Sequence, residues 1–163
     1  EIMPTPTYTL IDSVTLGSSA SSVTFSGISA TGKGDLVCSI EALADSGTAY
    51  FLMRFNGETT GYTSVAAYGT GSTTGSLTQT SLVLSTPGAT TSQAALVTTT
   101  VSDFSSTDKH KSVLSRGNNA SLSVSMYASR WANTAAITTL EIYSSVSSYA
   151  AGSTFHLYQI VSE

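Results

Sequence analysis

The sequence predicts an all-β fold, an antiparallel two-sheet β-sandwich of jelly-roll type with about ten short strands. Three observations carry this. Apolar residues recur at every second position through most of the chain, the period of a strand with one buried face. Ser and Thr make up about a third of the 163 residues while charged residues are only 10%, so the polar face is read as hydroxyl-bearing, which suits the β propensity of Thr and the turn chemistry of Ser. Clusters rich in Gly, Ser and Thr separate the alternating runs and supply the left-handed positions and side-chain-to-backbone bonds of turns.

Taken in order, Tyr8 and Leu10, then Val14 and Leu16, alternate with polar neighbours, and Val23 and Phe25 follow. Residues 36–43 are more continuously apolar and read as a central strand. In FLMRFNGETTGY, residues 51–62, Phe51, Met53 and Phe55 share one face, and Asn56-Gly57 offers two residues able to take positive φ. That stretch is read as a hairpin corner with Glu58 in water. Further strands are expected at residues 62–68, 77–84, 94–101, 110–115, 121–127, 137–143 and 154–161. Between them TGKGD, YGTGSTTGS, STPGATTS, SRGNNA and the AAG before the last strand read as turns. TSQAALVTTT is assigned to a strand because its Thr run disfavours a helix. Residues 1–6 contain two prolines and are expected to form an extended N-terminal arm, ahead of one sandwich domain over residues 7–163.

Several classes of function are excluded or disfavoured. A net charge of −4 with only six Lys and Arg, scattered along the chain, argues against nucleic acid as a partner. Lys109, His110 and Lys111 are read as a solvated turn. There is no run of about 18 apolar residues, so no membrane span is expected, and EIMPTPTYTL lacks the basic and apolar regions of a secretion signal. The single Cys38, in LVCSI, reads as a buried, inert thiol.

No catalytic, metal or cofactor residues are assigned. His110 lies between lysines, and His156 alternates with Phe155 and Leu157, pointing away from the core. GxSxG, HxH, HExxH and CxxC are absent, GTGSTTG fails the dinucleotide and P-loop patterns, and no local pattern pairs Glu41, Glu58 or Glu141 as glycosidase carboxylates. Asp103 and Asp108 are the nearest thing to a Ca²⁺ loop and read as solvated. Asn119-Ala120-Ser121 fits the glycosylation sequon and is taken as accidental. The protein is expected not to be an enzyme.

Four stretches carry a resemblance: YTLIDSVTLGSSASSVTFSGI near the start, LMRFNGETTGY in the middle, W-x-N-T-x-A-I-T-x-L-x-I-Y at residues 131–143, and A-G-S-T-F-x-L-Y-x-I at residues 151–160. In that order, together with KHKSVLSRGNNA, the chain resembles β-rich virion proteins of tailed bacteriophages, cyanophages especially. The resemblance implies a jelly-roll-like capsid decoration or cement protein on the outer capsid surface of the virion, partnered by the major capsid protein and by copies of itself, most simply as a trimer on a local three-fold. A tail or head fibre module binding a receptor or glycan is the alternative, with Tyr62, Tyr68, Tyr149 and Trp131 stacking on sugars; a carbohydrate-binding module of a cellular enzyme shares the fold. Trp131 also reads as a residue that closes one end of the sandwich. Interface residues are expected among Tyr8, Arg54, Tyr62, Arg116, Arg130 and Trp131, because Tyr, Trp and Arg are enriched at binding hot spots.

Overall fold

The computed structural model describes residues 7–29, 34–119 and 123–161; the expected N-terminal arm, residues 1–6, lies outside them. Twelve strands are found among the described residues: β1 (Tyr8–Thr15), β2 (Ser22–Ser26), β3 (Gly34–Ala42), β4 (Thr48–Phe55), β5 (Tyr62–Gly69), β6 (Thr74–Gln79), β7 (Leu82–Thr90), β8 (Ala95–Ser102), β9 (Lys111–Asn119), β10 (Ser123–Trp131), β11 (Thr139–Tyr143) and β12 (Thr154–Val161). They form an eight-stranded sheet, ordered β1-β12-β3-β8-β9-β10-β5-β6, and a four-stranded sheet, ordered β2-β11-β4-β7. Every pairing is antiparallel. The all-β two-sheet sandwich is therefore present, with β3 inside the larger sheet as expected for its apolar run.

The core lies between the sheets and is made by period-two alternation. Leu36, Cys38, Ile40 and Ala42 of β3 meet Phe51, Met53 and Phe55 of β4 and Leu140 and Ile142 of β11 in one contiguous buried cluster. Complete burial of a Phe or Leu contributes on the order of 2 kcal/mol. Aromatic rings close the two ends. At one, Tyr149 stacks on Phe51 at 5.4 Å and its hydroxyl donates to Tyr50 O at 2.9 Å, while its backbone bridges Ala20 and Ala44. At the other, Trp131 packs against Phe55 at 5.4 Å and stacks on Tyr62. The Tyr62 hydroxyl accepts from Phe55 N–H at 2.9 Å and donates to Glu58 O at 3.1 Å.

Three local expectations change. Asn56 and Gly57 do adopt φ of 53° and 75°, and Glu58 N–H donates back to Phe55 O at 2.9 Å, so the tight turn forms and Glu58 is exposed. It does not make a hairpin, because β4 belongs to the small sheet and β5 to the large one; residues 59–61 carry the chain across between them. The turn is held from the β10–β11 connection instead, where Asn56 Nδ2 donates to Ala136 O at 2.8 Å and Asn56 Oδ1 accepts from Thr138 N–H at 2.9 Å and Thr139 N–H at 3.1 Å. The run at residues 77–84 is likewise divided, β6 ending at Gln79 and β7 starting at Leu82 in the other sheet, with Ser64 Oγ donating to Ser81 O at 2.8 Å at the crossing. STPGATTS and SRGNNA, read as turns, lie largely inside β7 and β9. The proline of the first is tolerated because β7 is an edge strand whose register against β4 slips twice near Phe51.

Asn56→Ala removes four side-chain hydrogen bonds, including the one from Thr138 Oγ1, and keeps a Cβ at positive φ without the bonds that offset it, so urea denaturation is expected to show a loss of about 3 kcal/mol. Asn56→Gly relieves the backbone but not the bonds, and is expected to lose about 1 kcal/mol less; equal stability of both variants with the parent would refute the anchoring role.

Candidate functional site

The alternation that builds the core is inverted in chemistry on the far half of the large sheet. On β10 the inward positions are Ser123, Ser125, Tyr127, Ser129 and Trp131, and on β9 they include Ser115 and Gly117; all are buried. The outward positions carry Leu114, Val124 and Met126, joined by Val65 of β5 and Leu96 of β8, each 51–59% exposed. Aliphatic side chains thus face solvent while hydroxyls face the interior.

The inward serines have a packing cause. β7 lies close over β9 and β10: a Cβ built on Gly117 would come within 2.2 Å of Ser85 Oγ, and the Ser85 and Ser125 hydroxyls are 3.3 Å apart. Ser64 and Ser129 are hydrogen-bonded at 2.7 Å in the same layer. Small hydroxyl side chains fill the narrow gap at these positions, and the two pairs meet each other's polar needs, while Ser115 Oγ is buried without a hydrogen-bond partner among the described residues. Nothing equivalent accounts for the outward aliphatics, since the fold gains no burial from them.

Leu114, Val124 and Met126 form part of a trough of about 1100 Å³ on the outward face, and Val65 and Leu96 are exposed on the same face outside it. Tyr8 from β1 and Thr74, Gly75 and Ser76 from β6 line it together with residues of the central strands. Both edge strands bound one hollow, so the sheet curves with its outward face concave. One register row crosses all eight strands, from Ser13 and His156 through Ser39 and Thr98 to Arg116, Met126, Ala67 and Ser76. Tyr68 lies across Gly75 at the β6 end, where an added Cβ would come within 2.6 Å of its hydroxyl oxygen. The lining is aliphatic and hydroxyl-bearing with one charge, Arg116, and contains no acidic residue.

Of the residues expected at an interface, Tyr8 and Arg116 line this trough, and Arg130 is exposed on the same face, opposite Ser112. Arg54 belongs to the small sheet, where it is paired with Glu141 and sits 4.8 Å over the Tyr143 ring. Tyr62 and Trp131 are corrected: at 6% and 1% exposure they are core residues, because both lie on inward positions and pack on Phe55. Tyr149 is buried as well and Tyr68 is half-buried, so the set proposed for sugar stacking does not form an exposed row. Leu96, Leu114, Val124, Met126 and Val65 were not anticipated.

Elsewhere, burial pushes the Cys38 thiol up to about 12. Lys111, expected in a solvated turn, is fully buried, and its ammonium donates to Ser106 O at 2.6 Å and to Lys109 O and Thr134 O at 3.3 Å. It therefore ties the β8–β9 loop to the β10–β11 loop, and desolvation lowers its pKa from the ordinary lysine value. Lys109 pairs with Asp103 at 2.8 Å. His156 points outward beside Tyr158, and His110 is exposed. Asn119 of the sequon is buried and donates to Gly88 O at 3.3 Å. Among the described residues no three His, Cys, Asp or Glu side chains are grouped to hold a metal, and no helix is long and apolar enough to cross a membrane.

No protein-family model matches the chain, and no curated protein matches it. Among solved structures, it is similar to exo-inulinase from Aspergillus awamori with a TM-score of 0.47 and 16% identity, over 94% of this chain and 29% of the enzyme. The chain thus spans less than a third of that enzyme's length, and a likeness this distant assigns no activity.

The hydrogen bond from Arg54 holds the Glu141 carboxyl below its ordinary range against the opposing effect of desolvation. A depressed carboxylate contributes stability that is fully present above the unfolded value of about 4.3 and lost as pH falls through the folded value. The stability gap between the parent and Glu141→Gln, measured by denaturant titration, is expected to shrink as pH is lowered from about 6 to about 3; a constant gap would show that the pair contributes nothing. Cys38 is expected to resist an aromatic disulfide reagent in the native protein and to react with one equivalent on unfolding, so rapid native labelling would contradict its burial.

Proposed function

We propose that the protein is a non-enzymatic structural component of a phage particle, most directly a capsid decoration or cement protein that seats the concave face of its eight-stranded sheet on the major capsid protein lattice. The observation that carries this reading is the set of exposed aliphatic side chains, Leu96, Leu114, Val124, Met126 and Val65, on the outward face of four adjacent strands, which the sandwich itself does not use. A contiguous exposed apolar surface on a folded domain marks an interaction site, and the position of Arg116 and Tyr8 within or beside it fits a protein interface, where Arg and Tyr are enriched. The four-part sequence resemblance to phage virion proteins supplies the partner. A decoration protein that binds only the assembled lattice stabilises it by mass action, and a trimer on a local three-fold is the assembly this reading expects.

The trough fits a protein partner better than a glycan. Sugar faces are met by exposed aromatic platforms, whereas the central lining here is aliphatic, and the exposed Tyr8 meets Tyr158 edge-on at an interplanar angle of 87°.

Co-sedimentation of the purified protein with expanded empty capsids of the co-encoded major capsid protein is expected to saturate at a stoichiometry set by lattice symmetry. Val124→Asp with Met126→Asp is expected to weaken binding at least tenfold while leaving the thermal midpoint within a few degrees, since both side chains already face water. Absence of capsid binding together with a clear glycan-array signal would overturn the decoration role in favour of the fibre module.

A further inference from the structure

We infer that the trough receives an extended, mainly aliphatic segment of a partner protein bearing one carboxylate, which pairs with Arg116. The identity of the partner rests on the decoration reading; the chemistry of the segment comes from the trough alone.

Shape comes first. The hollow crosses eight strands, and at a strand spacing of about 4.8 Å this is roughly 34 Å from edge to edge. An extended chain covers that distance with about ten residues at 3.3–3.6 Å each. A segment lying across the strands reaches the sheet through its side chains, so alternate residues would meet Leu114, Met126 and Ala67 while the others face the partner or solvent.

Charge decides the rest. Arg116 occupies the middle of the row, between Thr98 and Met126. It is in neither of the two ion pairs found among the described residues, and no acid lines the trough. A protein with net charge −4 thus presents a locally positive centre in an apolar hollow. When a segment covers it, the guanidinium loses water and is satisfied only by an acceptor; a carboxylate, held by paired N–H donors, is the best match. A second copy docked trough to trough would oppose Arg116 to Arg116, and a cationic or wholly apolar segment would leave the charge buried alone, at a cost far above that of the paired case.

Fluorescein-labelled ten-residue peptides of alternating Thr and Val with Glu, Gln or Lys at the centre, titrated by anisotropy, test this. The Glu peptide is expected to bind the parent about tenfold tighter than the Gln peptide, with Lys weakest and the Glu preference reduced by added salt. Arg116→Gln is expected to abolish the difference, and Arg116→Glu to reverse it in favour of Lys; unchanged thermal midpoints confirm that both variants are folded. Equal affinity for all three peptides, or binding by none, overturns the inference. So does glycan binding or self-association that is lost in Arg116→Glu. Capsid co-sedimentation in parallel separates the two readings: capsid binding undiminished in Arg116→Glu removes the carboxylate inference and leaves decoration standing, whereas Glu-selective peptide binding without capsid binding supports the inference and removes decoration.

Discussion

The close approach of β7 to β9 and β10 is the constraint on which the distinctive half of this sandwich depends. Gly117 permits it by offering no Cβ to Ser85, while within the small sheet Gly88 of β7 fits against β4, where a Cβ would lie 2.0 Å from Ala49 O. Where the layers are nearest, around Ser85, Gly117 and Ser125, glycine and serine fill the space between them, and the serine hydroxyls remain tolerable in the interior because Ser64 bonds Ser129 and Ser85 meets Ser125. Leu114, Val124 and Met126 on β9 and β10 point outward, whereas Val113, Tyr127 and Trp131 keep the inward positions on either side of this close contact. The interior of that half is closely packed but chemically polar, and the main hydrophobic cluster is displaced toward β3, β4, β11 and β12.

This division also explains how a fold with ordinary core residues comes to carry an apolar exterior. On β3 and β12 the alternation does what a half-buried strand normally does, with Leu36, Cys38, Ile40, Phe155 and Leu157 inside. Across the hydrogen-bonded row the same outward position changes from Ser39 and Thr98 to Arg116 and Met126. The trough itself is aliphatic at Ile160 and Val37 of β12 and β3, hydroxyl-bearing at Thr98 and Thr100 of β8, and aliphatic again at Val124 and Met126 of β10, and its single guanidinium sits between the last two groups. Because every strand that carries it is paired on both sides except the two at the edges, the surface is preformed, and binding would spend little ordering entropy on the protein side.

The architecture was legible in the sequence because period-two alternation and turn residues act locally. The hydroxyls were misread: a serine on a strand was assigned to solvent, whereas Ser123, Ser125 and Ser129 take three of the five inward positions on β10. The signal needed to correct this is parity. In SVSMYASRW the two large aromatics, Tyr127 and Trp131, share parity with the serines, while Arg130, which has to reach water, shares parity with Val124 and Met126. Arg116 stands in the same relation to Leu114 on β9. Reading the strand from its aromatic and charged members, not from its count of apolar ones, places Val124, Met126 and Leu114 outside. What no local pattern contains is the sheet to which a strand belongs. Asn56-Gly57 specifies a reversal, yet whether β5 pairs with β4 or crosses to β10 is decided by long-range partners such as Ala136, Thr138 and Thr139, about 80 residues away.

The treatment of the sheet edges points the same way as the trough. Edge strands are templates for lateral pairing unless they are interrupted or blunted. β1 has a register break between Leu10 and Asp12, and Asp12 remains exposed on it; β6 is only six residues long and rich in Thr and Gln; β7 slips register and carries a proline. These features discourage a neighbour from extending the sheets by backbone hydrogen bonds. A partner is left with the face of the large sheet, where recognition runs through side chains and is governed by shape and charge. Face contacts discriminate among surfaces, whereas an open strand edge would accept almost any extended chain.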